Sequence, residues 1–212
     1  MQKIETVVGG VWGSGIAQTA PRRSLTTHPI IGVDCDGVLA SDRLLWQRLR
    51  ERFPEHIPAR YEELATFEWP RATPETAALC LELSADPQFA VQLAPMPHMA
   101  EALRALAERD YTIYIITARP ESVRGATRRW LRHHGVSDYV ANIHCVESGL
   151  AKVPLALALG CEAFVEDNYT TAEAMGAASI RSYLLDAPYN RAPNQHSIRV
   201  RGWRALLERR IA

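Results

Sequence analysis

The chain has 212 residues, with 24 lysines and arginines against 24 aspartates and glutamates, and 47% of its residues are hydrophobic. That length supports one substantial core with room for a small inserted module. The formal net charge of zero excludes a global field that would draw in polymeric nucleic acid or an anionic membrane, and no apolar run approaches a bilayer span.

Residues 1–29 carry two apolar patches broken by Gly-Gly and Gly-Ser-Gly, then a Pro/Ser/Thr stretch. This extension is expected to add an edge strand or to stay loose. "GGVWGSG" lacks a following Lys-Ser/Thr, so it is a poor phosphate-binding loop. The start also lacks the apolar stretch and cleavage pattern of an export signal. Cys35, Cys80, Cys145 and Cys161 form no C-x-x-C pair, which predicts reduced thiols and a cytoplasmic protein.

"PIIGVD" (29–34) is an apolar burst suited to a central strand. Residues 39–95 then break the rhythm with three helix candidates, "SDRLLWQRLRERFP", "PARYEELATFEWP" and "TPETAALCLELSADP", separated by prolines. That is too long for a plain connection and predicts an inserted helical cap. "MPHMAEALRALAERD" (96–110) repeats Met99, Leu103 and Leu106 at helical spacing and runs into "YTIYIIT" (111–117), a strand. "ESVRGATRRWLRHHG" (121–135) is a helix stopped by Gly135. "YVANIHCV" (139–146), "CEAFVEDN" (161–168) and "SIRSYLL" (179–185) read as strands, with helices at "KVPLALALG" (152–160) and "TAEAMGA" (171–177) between them. "RVRGWRALLERR" (199–210) has a surface-helix pattern with Trp203 and Leu206 facing inward.

Strands alternating with helices predict a three-layer α/β/α fold around a mostly parallel, Rossmann-like sheet. The core comprises 30–38 and 96–198, the cap 39–95 and a C-terminal helix 199–212. Ligands of such a sheet gather at the carboxyl ends of its strands. There the sequence places Asp34 and Asp36, Thr117 and Arg119, Lys152, and Glu166 with Asp167.

Several carboxylates on one rim repel unless a cation compensates, and ligands that are all oxygen point to Mg²⁺ rather than zinc. A lysine beside them offsets charge and can hold a phosphate oxygen. Thr117 and free N–H groups at a strand-to-helix junction can cradle another. Together these residues describe phosphoryl transfer: Asp34 attacks phosphorus, and Asp36 protonates the leaving oxygen and later activates water.

"DCDGVLA" resembles the first motif of the haloacid dehalogenase-like hydrolases, and "IYIITAR", Lys152 and "FVEDN" resemble its second, third and fourth. The resemblance implies an aspartyl-phosphate on Asp34, with Asp36 as general acid/base and its carbonyl on Mg²⁺. Thr117 and Lys152 would hold the transferring group, and Asp167 would bind Mg²⁺ with Glu166 sharing that role. The family often has two aspartates at this last site, so Glu166 departs from its pattern. Asp36 favours a phosphatase over carbon–halogen hydrolysis.

A finer resemblance, through "ITARP", the cap and "YLLDAPYNR", is to the 5′(3′)-deoxyribonucleotidases and their bacterial relatives. It implies a small phosphorylated metabolite as partner, a nucleoside 5′-monophosphate before other esters. Trp46, Phe67 and Trp69 are candidates for stacking on a base, against the alternative that they fill the cap core. Arg119 and Tyr189 are candidates for substrate contact, and Arg119 equally for pairing with a nearby acid. A sugar phosphatase, or a phosphometabolite-binding protein without turnover, is the competing reading. A homodimer is compatible with the sequence, which carries no membrane or nucleic-acid signature.

Overall fold

The computed structural model describes residues 28–209. The edge strand or loose extension expected before them lies outside the described residues. In chain order the elements are β1 (Ile30–Val33), α1 (Arg43–Arg52), α2 (Pro74–Ala85), α3 (Pro87–Gln92), α4 (Met99–Glu108), β2 (Thr112–Thr117), α5 (Arg124–His133), β3 (Val140–Cys145), α6 (Lys152–Leu159), β4 (Ala163–Glu166), α7 (Tyr169–Ala177), β5 (Arg181–Leu185), β6 (Ser197–Val200) and α8 (Trp203–Leu207). The strands form one sheet in the order β3-β2-β1-β4-β5-β6, parallel at every pairing.

Strand side chains alternate between faces, so each strand feeds two apolar layers. Ile31, Val33, Ile113, Ile115 and Val165 pack with Met99, Leu103 and Leu106 of α4, Trp130 of α5 and Trp203 of α8. Ile30, Ile116 and Phe164 turn the other way, onto Ala156 of α6 and Met175 of α7. Three helices, α2, α3 and α7, start where a side chain satisfies a first-turn N–H group. Thr73, Asp86 and Asn168 accept from the N–H groups of Thr76, Gln88 and Thr171 at 3.3, 2.7 and 3.0 Å. No helix among the described residues is long and apolar enough to cross a membrane.

Three expectations are corrected. "PARYEELATFEWP" is not one helix but two 3₁₀ turns, Tyr61–Glu63 and Trp69–Arg71. The backbone is extended at Arg60 (φ −121°, ψ 141°) and Leu64 (φ −60°, ψ 126°), which bounds the first turn on both sides. A further helix, α3, follows at Pro87, because Asp86 is extended (φ −87°, ψ 115°) before a proline and caps a new start. The segment from residue 199 begins as strand, since Arg199 and Val200 pair with β5, and helix exists only over Trp203–Leu207. Trp203 and Leu206 do face inward.

Two features position the rim. The insertion leaves and returns through a short antiparallel contact. In it the Ser41 N–H donates to the Ala94 carbonyl at 2.7 Å and the Met96 N–H to the Leu39 carbonyl at 2.8 Å. The β5–β6 connection, residues 186–196, is a helix-free strap. Glu173 fastens its end by accepting the N–H groups of Gln195, His196 and Ser197 at 2.9, 2.8 and 3.0 Å.

Gly32 lies at the centre of the sheet, where an added Cβ would fall 2.4 Å from the Phe164 ring. Gly32→Ala is expected to destabilise the protein by about 1–3 kcal/mol through overpacking, read from the midpoint of urea unfolding. An unchanged midpoint would mean the two sheet layers repack freely.

Candidate active site

Each polar group on the rim is placed by an element end. Asp34 follows β1 directly, its N–H donating to the Val165 carbonyl at 3.0 Å. Thr117 and Glu166 are the last residues of β2 and β4, Asp167 follows Glu166, and Lys152 opens α6. Parallel pairing brings these ends to one edge.

At the centre stands the Lys152 ammonium, 2.8 Å from Asp34 Oδ1 and 2.8 Å from Glu166 Oε2. All three side chains are buried, Glu166 completely. Burial alone pushes the Lys152 ammonium down, but the two carboxylates outweigh it and hold the group above its ordinary range. Burial likewise pushes the Glu166 carboxyl up. Lys152 and the donors around it prevail, and Glu166 titrates below the usual carboxylate range. The other Glu166 oxygen accepts the N–H groups of Asp167 and Asn168, each at 3.1 Å. Its contacts thus make Glu166 the anchor of Lys152.

Asp34 and Asp167 are left short of positive charge. Burial, then the charge of Glu166, pushes Asp34 up to about 8 and Asp167 well above its ordinary range. Oxygens of Asp34, Glu166 and Asp167 lie within 4.8 Å of one another. Three buried carboxylates against one lysine form an all-oxygen set that, when ionised, carries two excess negative charges and fits a divalent cation such as Mg²⁺. Asp34 and Asp167, the two carboxyls that burial and Glu166 push up, would hold it. Gly37 leaves room beside them: at φ +74° an added Cβ would fall 2.1 Å from Asp167 Oδ2.

Asp36 differs from Asp34. Its side chain is 49% exposed, and both oxygens accept from buried Arg119, from Nε at 2.8 Å and Nη2 at 2.6 Å. Arg119 also donates to Thr127 at 2.9 Å, and its backbone N–H donates to Thr117 Oγ1 at 3.2 Å. Of the two roles open to Arg119, the structure shows the pairing with an acid.

The insertion builds its own core from Leu49, Ile57, Leu64, Trp69 and Cys80. Trp69 is buried there, and the Trp46 indole N–H donates to the Pro58 carbonyl at 3.2 Å. Phe67 is half-buried and edge-on to Tyr189, their ring centres 5.9 Å apart. The Tyr189 hydroxyl donates to Asp167 Oδ2 at 2.6 Å, and Asn190 Nδ2 donates to the Asp167 carbonyl at 2.7 Å. Sequence reasoning placed Tyr189 toward substrate and did not single out Asn190 or Thr127. The available signal was a polar "DAPYNR" in a connection that links parallel strands without a helix. A cavity of about 370 Å³, lined by Glu162, Arg181, Ser182 and His196, lies at the amino end of the sheet, away from these groups.

Over residues 28–209 the sequence matches the family described as 5′ nucleotidase, deoxy (pyrimidine), cytosolic type C. The chain belongs to this nucleotidase family. A nucleotidase of Clostridium acetobutylicum is 35% identical over 99 residues, covering 45% of this chain and 48% of that protein. The match therefore spans just under half the length of that curated relative. Among solved structures, CbbY from Rhodobacter sphaeroides in complex with phosphate aligns with a TM-score of 0.57 and 15% identity, over 84% of this chain and 96% of that one. A HAD-superfamily hydrolase from Ehrlichia chaffeensis aligns with a TM-score of 0.55 and 11% identity, over 86% and 96%. At such identities these two likenesses establish the shared α/β fold of this nucleotidase family member.

Lys152→Met would leave Asp34 and Glu166 buried without their shared cation. A loss of about 3–5 kcal/mol is expected, measured by urea unfolding at neutral pH. A loss below about 1 kcal/mol, the worth of an exposed pair, would show that the bridge is not structural.

Proposed function

We propose that the protein is a Mg²⁺-dependent phosphomonoesterase acting on nucleoside 5′-monophosphates. The observation that carries the reading is Lys152 bridging Asp34 and Glu166, with Asp167 beside them. A buried acid tied to a lysine, within reach of a second acid two residues on, suits nucleophilic attack at phosphorus. When bound, Mg²⁺ would draw charge from the phosphoryl oxygens.

Asp34 would attack phosphorus while the bond to the ester oxygen breaks, giving an aspartyl-phosphate. Asp36 would protonate the departing oxygen, then take a proton from the water that releases phosphate. Lys152 and Thr117 would hold phosphoryl oxygens. Arg119 bears on this sequence, because a guanidinium offers only donors. Asp36 must leave that pairing to deliver a proton, and its half-exposed position leaves it room to turn. Residues 39–95 would act as a cap, their paired entry and exit serving as the hinge and their closure excluding bulk water.

The nucleotide assignment rests on family membership and on the name of the Clostridium relative. Phe67 supplies the physical support, being half-buried and edge-on to Tyr189, whose hydroxyl reaches Asp167; Trp46, also half-buried, faces Tyr61 and Pro58, and Trp69 is buried. A base–aromatic contact is worth roughly 1–3 kcal/mol.

The test is turnover of nucleoside monophosphates, sugar phosphates and an aryl phosphate, with Mg²⁺ and then with EDTA. Activity is expected to vanish in EDTA, return with Mg²⁺, and be absent in Asp34→Asn. Full activity in EDTA or in that variant would sink the mechanism, and binding without turnover would favour a phosphometabolite-binding protein. A kcat/KM preference for sugar phosphates of about 100-fold, near 2.8 kcal/mol, would overturn the substrate alone. At saturating Mg²⁺, Phe67→Ala should raise KM for nucleotides by about 5- to 100-fold and leave that for the aryl phosphate unchanged. Equal effects on both would remove Phe67 from base recognition.

A further inference from the structure

The strap between β5 and β6 holds the one motif, "DAPYNR", to which the proposed reaction gives no part. Its contacts converge on Asp167. Tyr189, 4% exposed, sends its hydroxyl to Asp167 Oδ2 at 2.6 Å. The next residue grips the same aspartate from behind: Asn190 Nδ2 donates to the carbonyls of Asp167 and Leu185 at 2.7 and 2.8 Å. Arg199 fixes Asn190 in turn, donating to its Oδ1 at 2.7 Å and to its carbonyl at 2.5 Å. Asp167 is therefore held at side chain and backbone by successive residues of one latched segment.

The Tyr189 ring belongs to the aromatic cluster of the insertion. It lies edge-on to Phe67 and, at 6.4 Å between ring centres, to Tyr61. Tyr61 in turn donates its hydroxyl to Asp42, at the root of the insertion. The hydroxyl that reaches Asp167 is thus aimed by a ring whose seat is made by residues 39–95.

We propose that Tyr189 is a positioning residue for the metal-binding carboxylate, its hydroxyl fixing one oxygen of Asp167 and its ring making that grip depend on the seating of the insertion. The inference rests on the metal reading given above. A short hydrogen bond to a carboxylate is among the stronger ones and is directional. With Oδ2 occupied and the carbonyl tied by Asn190, the Asp167 carboxylate loses its freedom to turn. Partners that orient ligating carboxylates commonly contribute 10- to 100-fold to metal affinity. A tyrosine that merely satisfied a buried acid would affect folding and leave the affinity of the folded protein unchanged.

The test is calorimetric titration of Mg²⁺ into the full-length protein without substrate, well below melting, with near-UV circular dichroism confirming that each variant is folded. Tyr189→Phe keeps the ring and removes only the hydroxyl. It is expected to raise the Mg²⁺ Kd by about 10-fold or more, with turnover recovering when Mg²⁺ is raised by the same factor. Phe67→Ala, which touches neither hydroxyl nor carboxylate, should shift Kd in the same direction by less. A folded Tyr189→Phe with wild-type affinity overturns the positioning role, and an unshifted Phe67→Ala overturns its dependence on the insertion. Wild-type protein that binds no Mg²⁺ overturns the metal reading and this inference with it. Wild-type binding that Tyr189→Phe retains in full overturns the inference alone.

Discussion

A single buried ammonium holds the carboxylate rim together. Lys152 lies 2.8 Å from each of two carboxylates on separate chain segments, one following β1 and one ending β4. Taking three charges out of water is expensive, and their mutual attraction offsets the cost only with tight geometry and further hydrogen bonds. The structure supplies both, through short contacts on the lysine and two backbone N–H groups on the far oxygen of Glu166. That geometry in turn requires β1 and β4 to be neighbours and α6 to begin at the rim. The sheet order, with β4 beside β1 and β2 on its other side, meets the requirement. Glutamate at position 166 has a physical reading: it reaches the lysine while its second oxygen turns back onto the start of the next segment.

The rim is enclosed by two segments of different character. The insertion has its own core and a short pair of backbone hydrogen bonds where it leaves and returns, but its α3 also packs on α5 through Phe89, Ala90 and Leu93. The strap is fastened along its length by Glu173 and Arg199. Longer-range contacts stiffen the base beneath them. The Trp203 indole of α8 donates to the Val38 carbonyl at 2.8 Å, and the Trp130 indole of α5 to the Leu93 carbonyl at 2.7 Å. These hold the loop carrying both aspartates and the returning end of the insertion. Under the proposed mechanism, only the part of the insertion around its own core would move, the nucleophile loop and residues 89–93 staying in place.

The strands that build the rim were legible in the sequence because each is a run of β-branched and aromatic residues feeding two apolar layers, a pattern with no good helical alternative. The acidic pairs were legible for a related reason, being polar residues where such runs stop, and Lys152 as the lysine opening the helix after the third strand. Their pairings were not. Sequence offers Arg119 both a substrate and an acid, and only the fold brings its guanidinium onto Asp36. β6 was missed because "SIRV" is four residues long, is partly exposed and merges with an arginine-rich stretch that also fits a helix. The middle of the insertion misled for the opposite reason: "YEELATFEW" has helical composition, yet Leu64 is extended and the packing of Tyr61, Leu64 and Trp69 into a small core holds it in short turns. Aromatics at helical spacing look alike whether they meet a ligand or a core; the structure puts Trp46 edge-on to Tyr61 and Trp69 in the small core of the insertion.

The two aspartates of the first motif stand only one residue apart, and the structure gives them unlike surroundings. Asp34 is buried, fixed by a lysine that cannot withdraw, while Asp36 is half in water and fixed by a planar cation. Burial that raises a carboxyl suits an acid by itself, so under the proposed mechanism Asp34 attacks only when Lys152 and the bound cation keep it ionised. A nucleophile gains from immobility, since in-line attack tolerates little misplacement. A group that gives up a proton and later recovers one gains from a second position. The Cys35 side chain between them is packed into the apolar core, so its backbone pins the pair. The tight loop closed by the Leu39 and Ala40 N–H groups on the Cys35 carbonyl, each at 2.8 Å, fixes that backbone further. The chain thus obtains two chemically different carboxylates from one turn, by burying the first on a lysine and pairing the half-exposed second with an arginine, a pairing that Asp36 would leave under the proposed mechanism.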